Sequence, residues 1–314
     1  MQEQLDVLCI GMALVDSIIK GFDPEPVSAS GYRAVSGSLN VGGEAVNAAM
    51  ASAKLKMKTA IMCSLGEDLA GDMIIAALER CGVRTDRVLR SAEHPTPVTT
   101  MFVRDDGTRK SITNQAHRYN FHPEHYAAQT ADAKALLLGS LFRAPFDESE
   151  ILNKLLKQAK QAGQLIFADT KLPNFRRLGM EDFSESWPLI DYLTPNEDEA
   201  RFFSGKDDPE EMADVFLKYG VRNVVIKLGA KGCYFKNAKT SIRMPAFDIP
   251  AVDATGAGDN FLAGLASELL RGESIHEAII FASACGAICT TAVGAGTALE
   301  SREQVLQFLQ DQRD

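Results

Sequence analysis

The run Asp253-Ala254-Thr255-Gly256-Ala257-Gly258-Asp259 has the residue types and spacing for chemistry on an anion. Two glycines flank one alanine, an acid closes the run, and the apolar segment Asn260-Phe261-Leu262-Ala263-Gly264-Leu265 follows at once. A turn of this kind ahead of a helix leaves the amides of Gly256, Ala257 and Gly258 unpaired at the positive end of the helix dipole. Such donors suit a phosphate, and glycines let it approach the backbone closely. An acid at Asp259 can take the proton of an attacking hydroxyl. Phosphoryl transfer depends on positioning and charge stabilisation, and this run offers both. The competing reading is an ordinary Asp N-cap after a glycine turn, and the run alone does not choose between them.

The elements that must carry these residues follow a strand–helix rhythm. Apolar runs at 6–11, 60–63, 135–139, 165–169, 192–194 and 223–228 read as strands. Amphipathic stretches at 44–55, 69–80, 148–161 and 210–219 read as helices, several closed by glycine. Beyond Asp259 the chain reads as almost wholly helical to Gln312. This rhythm predicts an α/β fold: a three-layer α/β/α sandwich around a mostly parallel sheet. The stretches 97–103 and 109–113, joined by Asp105-Asp106-Gly107, read instead as a hairpin. With residues from about 11–40 it forms a small second sheet, a discontinuous lid on a single domain spanning 1–314.

Two nucleotide folds are disfavoured by inspection. After the first strand the chain gives Gly11-Met12-Ala13-Leu14-Val15-Asp16 where a dinucleotide fold needs G-x-G-x-x-G. Gly229-Ala230-Lys231-Gly232 is too short for a Walker A loop. With 46% hydrophobic and 24% charged residues, the chain has an ordinary globular composition. The net charge of −9 and the lack of a Lys/Arg stripe argue against nucleic acid. The polar, acidic start and the absence of a long apolar run predict a cytoplasmic protein that neither enters nor crosses a membrane. Six scattered cysteines without a C-x-x-C pair read as core filler rather than a zinc site or disulfides. His117, His122 and His125 resemble a metal cluster only by proximity in a polar loop.

The run Asp253 to Asp259 resembles the second signature of the ribokinase-like carbohydrate kinases, the PfkB family. Gly42-Gly43-Glu44-Ala45-Val46-Asn47 resembles the family's first signature, and Asp16 matches an acid that binds sugar hydroxyls in many members. Asn196-Glu197-Asp198-Glu199 matches the N-x-x-E element, and Lys227-Leu228-Gly229-Ala230-Lys231-Gly232 resembles the strand and glycine turn under the nucleotide. The five elements stand in the family's order and cover nearly the whole chain.

The resemblance implies an ATP-dependent kinase with the ribokinase-like fold. Asp259 would be the catalytic base, with Gly256, Ala257 and Gly258 forming the anion hole. Asp16, Gly42, Gly43 and Asn47 would bind the sugar, with Arg104 from the hairpin available for a carboxylated one. Asn196, Lys227, Gly229, Gly232 and Thr255 would line the ATP site, and Glu199 would organise Mg²⁺ through water. Carbonyls of Asp253, Thr255 and the stretch 290–298 could hold K⁺. Each element has a plainer alternative: a solvated turn acid for Asp16, a helix start for Gly42-Gly43, a cap for Asn196.

Glu44 would repel a second phosphate, which favours a nonphosphorylated sugar, nearer fructokinase-like and ketodeoxygluconate-kinase-like members than sugar-phosphate kinases. Arg104, Arg109 and Lys110 keep a sugar acid open. The segment 169–176 is similar to the fructokinase-like D-P-N-x-R with an insertion, leaving both Lys171 and Arg176 as candidates for the phosphates. Alternatives are a nucleoside kinase, its base resting on Met101 and Phe102, or a catalytically silent sugar or nucleotide sensor. The lid sheet, unstable alone with one apolar face, predicts a homodimer packed through it.

Overall fold

The structure of the protein, a computed structural model, describes residues 4–21, 33–106, 108–114, 132–174 and 176–312. The large sheet contains β1 (Leu5–Ile10), β4 (Thr59–Met62), β9 (Ala133–Leu141), β10 (Leu165–Thr170), β11 (Tyr192–Leu193), β12 (Asn223–Lys227), β13 (Cys233–Asn237) and β14 (Ser241–Met244). Their order is β14-β13-β12-β11-β10-β9-β1-β4. The six strands from β12 to β4 run parallel, while β13 and β14 turn back as an antiparallel edge.

Side-chain alternation in the strands builds the layers. On β1, Leu8 and Ile10 enter one core and Val7 and Cys9 the other; on β9, Leu136 and Leu138 oppose Ala135 and Leu137. Strands buried on both faces need such near-continuous apolar runs. The helices are α1 (Glu44–Lys54), α2 (Leu69–Arg80), α3 (Ser149–Gln161), α4 (Glu197–Ser204), α5 (Pro209–Lys218), α6 (Ala257–Arg271), α7 (Ile275–Cys289) and α8 (Arg302–Asp311). The first core takes Leu152, Leu155 and Leu156 of α3 and Met212 and Phe216 of α5. Facing the other side of the sheet, the second takes the alanines of α1, Ile74 and Leu78 of α2, and Leu262 and Leu265 of α6. This is the expected three-layer sandwich.

A second sheet joins β2 (Leu14–Lys20), β3 (Ser36–Gly42), β7 (Val98–Val103) and β8 (Arg109–Thr113) in the order β3-β2-β7-β8. Its central pair, β2 with β7, is parallel; the outer pairs are antiparallel. A short parallel pair, β5 (Ser64–Gly66) and β6 (Leu89–Ser91), lies apart. Register places Asp16, Thr99 and Thr113 side by side, so Met101 and Arg109 share the face of Asp16. Leu39, Ser17, Thr100 and Ile112 align on the opposite face with Ile19 and Phe102. Met101 and Phe102, paired as a resting surface in the nucleoside reading, therefore point to opposite sides.

The structure departs from the sequence reading at several places, among them helix α4 and the β5–β6 pair, which were not foreseen. The edge strands β13 and β14 were not foreseen, because SIRM and the end of CYFKN are short and partly polar. The last helical stretch is three helices, with 290–301 a loop. Helix α6 starts at Ala257 with Gly256 as its N-cap at φ 78°. All six cysteines are free thiols. The three histidines at 117, 122 and 125 lie outside the described residues. No described helix is long and apolar enough to cross a membrane.

Candidate active site

Asp259 is the third residue of α6 and not its cap, which overturns the N-cap reading. Its carboxylate accepts a hydrogen bond from Asn47 Nδ2 at 2.8 Å. Asn47 belongs to the first turn of α1, and the pair joins residues 212 positions apart. Only 5% of Asp259 is exposed. Burial raises its pKa to about 7, helped by the charges of Glu44 and Asp169 and opposed by Lys171 and the Asn47 bond. A carboxylate at that value can both hold and release a proton near neutral pH.

The turn before α6 is fixed by its neighbours. Asp253 Oδ1 accepts from the Thr255 amide at 3.0 Å and its hydroxyl at 2.7 Å, while Oδ2 accepts from the Gly294 amide at 3.0 Å. Asn260 Nδ2 reaches the carbonyls of Gly256 at 2.8 Å and Ala295 at 3.0 Å, tying the turn to the loop after α7. Gly256 needs its left-handed φ, and a Cβ there would collide with Ala295. The Ala257 amide donates to the Ala254 carbonyl at 3.2 Å and is spent within the turn. Those of Gly256 and Gly258 take no partner among the described residues.

Gly258 has a different reason to be glycine. A Cβ on it would lie 2.8 Å from Lys227 Nζ and 3.3 Å from Asp169 Oδ2. Those two form an ion pair of 2.6 Å, joining the ends of β10 and β12 across β11. Sequence reasoning left Asp169 unassigned, although a charge closing an apolar parallel strand marks the end where α/β sheets bind ligands.

On the other side, Gly43 caps α1 at φ 95°, and a Cβ there would collide with the Met12 carbonyl. That contact lets the Ala45 amide donate to Met12 at 3.2 Å and brings α1 against the end of β1. Gly42 lies under Asp16, whose Oδ2 would be 2.5 Å from a Cβ on it. Burial and the charge of Glu44 raise the Asp16 pKa, and Arg109 opposes them. Glu44, read in sequence as a lone repelling charge, is paired: its Oε1 is 3.3 Å from Lys171 Nζ and its Oε2 accepts from Ser140 Oγ at 3.1 Å.

Lys171 and Arg176 separate clearly. Burial acts to lower the Lys171 pKa, but Glu44, Asp259, Asp169 and Glu199 around it drive the value well up. Arg176 instead donates to the Asp147 carbonyl at 3.1 Å, away from this cluster. Arg104 is engaged at the hairpin end, its Nη1 3.4 Å from Thr108 Oγ1. It is Arg109, on the inner face, whose charge acts on both Asp16 and Asp253.

Asn196 and Glu199 form a capping box on α4: Asn196 Oδ1 accepts from the Glu199 amide at 2.9 Å and Glu199 Oε2 from the Asn196 amide at 3.0 Å. Glu199 Oε2 also accepts from Thr170 Oγ1 at 2.9 Å. Burial and Asp169 raise the Glu199 pKa against Lys227. Gly229 at φ 58° and Gly232 at φ 91° make the turn between β12 and β13. Its tip is joined to α4 by Lys231 and Glu197 at 3.4 Å.

A profile of the family described as pfkB family carbohydrate kinase matches residues 4–302. The chain is similar to ribokinase of Haemophilus influenzae, 28% identical with 86% of this chain and 87% of that protein covered. It is also 28% identical to 2-dehydro-3-deoxygluconokinase of Bacillus subtilis, with 88% of each chain covered. The structure of Arabidopsis thaliana ribokinase complexed with ribose and ATP superposes with a TM-score of 0.86 at 27% identity, covering 98% of this chain and 99% of that one. The two signatures that meet at Asn47 and Asp259 thus belong to a matched whole, and this chain is a member of the pfkB family of carbohydrate kinases, a family of phosphotransferases.

Proposed function

We propose that the chain transfers the γ-phosphoryl group of ATP to a hydroxyl of a nonphosphorylated sugar or sugar acid. The observation that carries this is Asp259: a buried carboxylate with a pKa of about 7, oriented by Asn47, beside the free amides of Gly256 and Gly258. In this reading Asp259 takes the acceptor hydroxyl's proton while the two amides face the developing charge. Asp16, Gly42, Gly43 and Asn47 hold the sugar, and the small sheet serves as the lid that excludes water. The Glu44–Lys171 pair presents an acceptor and a donor together, which suits a hydroxyl-rich ligand. Arg109, rather than Arg104, is the sheet cation in range of a carboxylated sugar.

Residues Asn196, Thr255, Gly229 and Gly232 belong to the nucleotide side. Glu199 fits Mg²⁺ held through water, since its Oε1 has no hydrogen-bond partner among the described residues while Oε2 is fully used. When bound, the ion would neutralise phosphate charge. The carbonyls of Asp253 and Thr255 remain the proposed K⁺ ligands. A rate that is equal in potassium and in an organic-cation buffer would overturn K⁺ activation. The deciding experiment measures turnover with Mg-ATP over a panel of sugars, sugar acids and nucleosides. Turnover of sugars is expected; turnover confined to nucleosides, or binding without any turnover, would overturn the reading.

A further inference from the structure

The Asp169–Lys227 pair is deeply buried. The side chains are 3% and 15% exposed. Ion pairs so buried contribute little net stability over apolar residues of like volume, because desolvation offsets their attraction. A merely structural role therefore gives weak reason for one here. Its position is more telling. The ammonium lies against Cα of Gly258, beside the two amides that have no partner, and a side chain at 258 would strike it.

An ammonium has three N–H donors. Asp169 Oδ2 takes one at 2.6 Å, and the Lys227 ammonium makes no other hydrogen bond or ion pair among the described residues. Asp169 is held in turn, its Oδ1 accepting from the Thr170 amide at 3.1 Å. The main chain of Lys227 is anchored too, its amide donating to the Pro195 carbonyl at 2.9 Å. Two donors of a fixed cation thus remain for a ligand. Lys171, the other cation of the cluster, pairs with Glu44, which the proposed function places on the sugar side.

We propose that Lys227 is a catalytic cation that binds the transferring phosphoryl group together with the Gly256 and Gly258 amides, and that Asp169 is the positioning residue that aims it. This rests on the kinase reading and goes beyond nucleotide binding in general: a cation at this place acts on the γ-phosphate and on the charge that grows there during transfer. Glycine at 258 then leaves room for the lysine as well as for the phosphate. Removing a donor of this kind lowers kcat by about 100- to 1,000-fold in other enzymes.

The test compares Lys227→Met, Lys227→Arg and Asp169→Asn with the parent protein. Lys227→Met is expected to lower kcat by about 100-fold or more, to leave the sugar KM within about threefold, and to erase the preference for Mg-ATP over Mg-ADP in calorimetric binding. Lys227→Arg should restore part of that preference. Asp169→Asn keeps the charge and loses the aim, so kcat falls less than in Lys227→Met. It should also shift the acid limb of the pH profile downward: Asp169 and Glu44 hold the Asp259 pKa up, while Lys171 and Asn47 oppose them.

Lys227→Met leaves the Asp169 charge buried without its counterion, so the double variant Asp169→Asn with Lys227→Met is measured as well. A folded double variant that retains kcat and the ATP preference overturns the proposal. The nucleotide preference is read without turnover. Wild-type protein that prefers Mg-ATP but phosphorylates nothing would overturn the kinase reading instead.

Discussion

Asp259 was legible from its motif, but its state was not, because burial and partners come from residues distant in sequence. Asn47, Glu44, Asp169 and Lys171 reach it only when β10 and α1 lie beside α6. The raised pKa yields a signed expectation. A general base must be deprotonated, so kcat/KM should rise with pH through a midpoint near 7. A flat profile between pH 5 and 9 would contradict the assignment. Asp259→Asn should lower kcat by about 1,000-fold or more while sugar binding by calorimetry persists. Stability follows the opposite sign. With the folded pKa above its ordinary 3.8, the folded state holds the proton more tightly, so the stability this group lends falls as pH rises from about 4 to about 7. Asp259→Asn should therefore raise the melting temperature more at pH 8 than at pH 5, checked by scanning calorimetry.

At the scale of elements, the sequence located α1, α2, α3 and the parallel strands because apolar periodicity and closing glycines mark them directly. It lost β13 and β14, where an edge position tolerates polar residues that periodicity cannot read. The Asn196–Glu199 pair was open between cap and ligand; the structure makes it a cap, with one carboxylate oxygen to spare. The glycines of the first signature follow from geometry, since α1 must start beneath the Met12 carbonyl. Gly43→Ala should cost about 1–3 kcal/mol of stability in urea unfolding and weaken sugar binding. Unchanged unfolding would mean that α1 can start elsewhere without loss.

For the whole molecule, the outer face of the small sheet is the unexplained surface. Leu39 and Ile112 are 61% and 68% exposed and line up through Ser17 and Thr100. Exposed apolar patches of this kind mark interaction sites. The homodimer expected from the sequence would cover them with the same face of a second copy. Leu39→Lys with Ile112→Lys should turn a dimer into a monomer by light scattering; a wild-type monomer at micromolar concentration would overturn the proposal.

Asp16 stands on the small sheet, whereas Asn47 and Asp259 stand on helices of the large layers, and residues 11–13 connect β1 to β2. A sugar held as proposed, by Asp16 through one hydroxyl and Asp259 through another, would fasten the sheet to the body below. Thrift with ATP would then reside in a residue of the small sheet rather than in the turn before α6. In Asp16→Ala, part of the nucleotide should be lost to water, so that more ADP than sugar phosphate forms. A one-to-one ratio of the two products would place that coupling elsewhere.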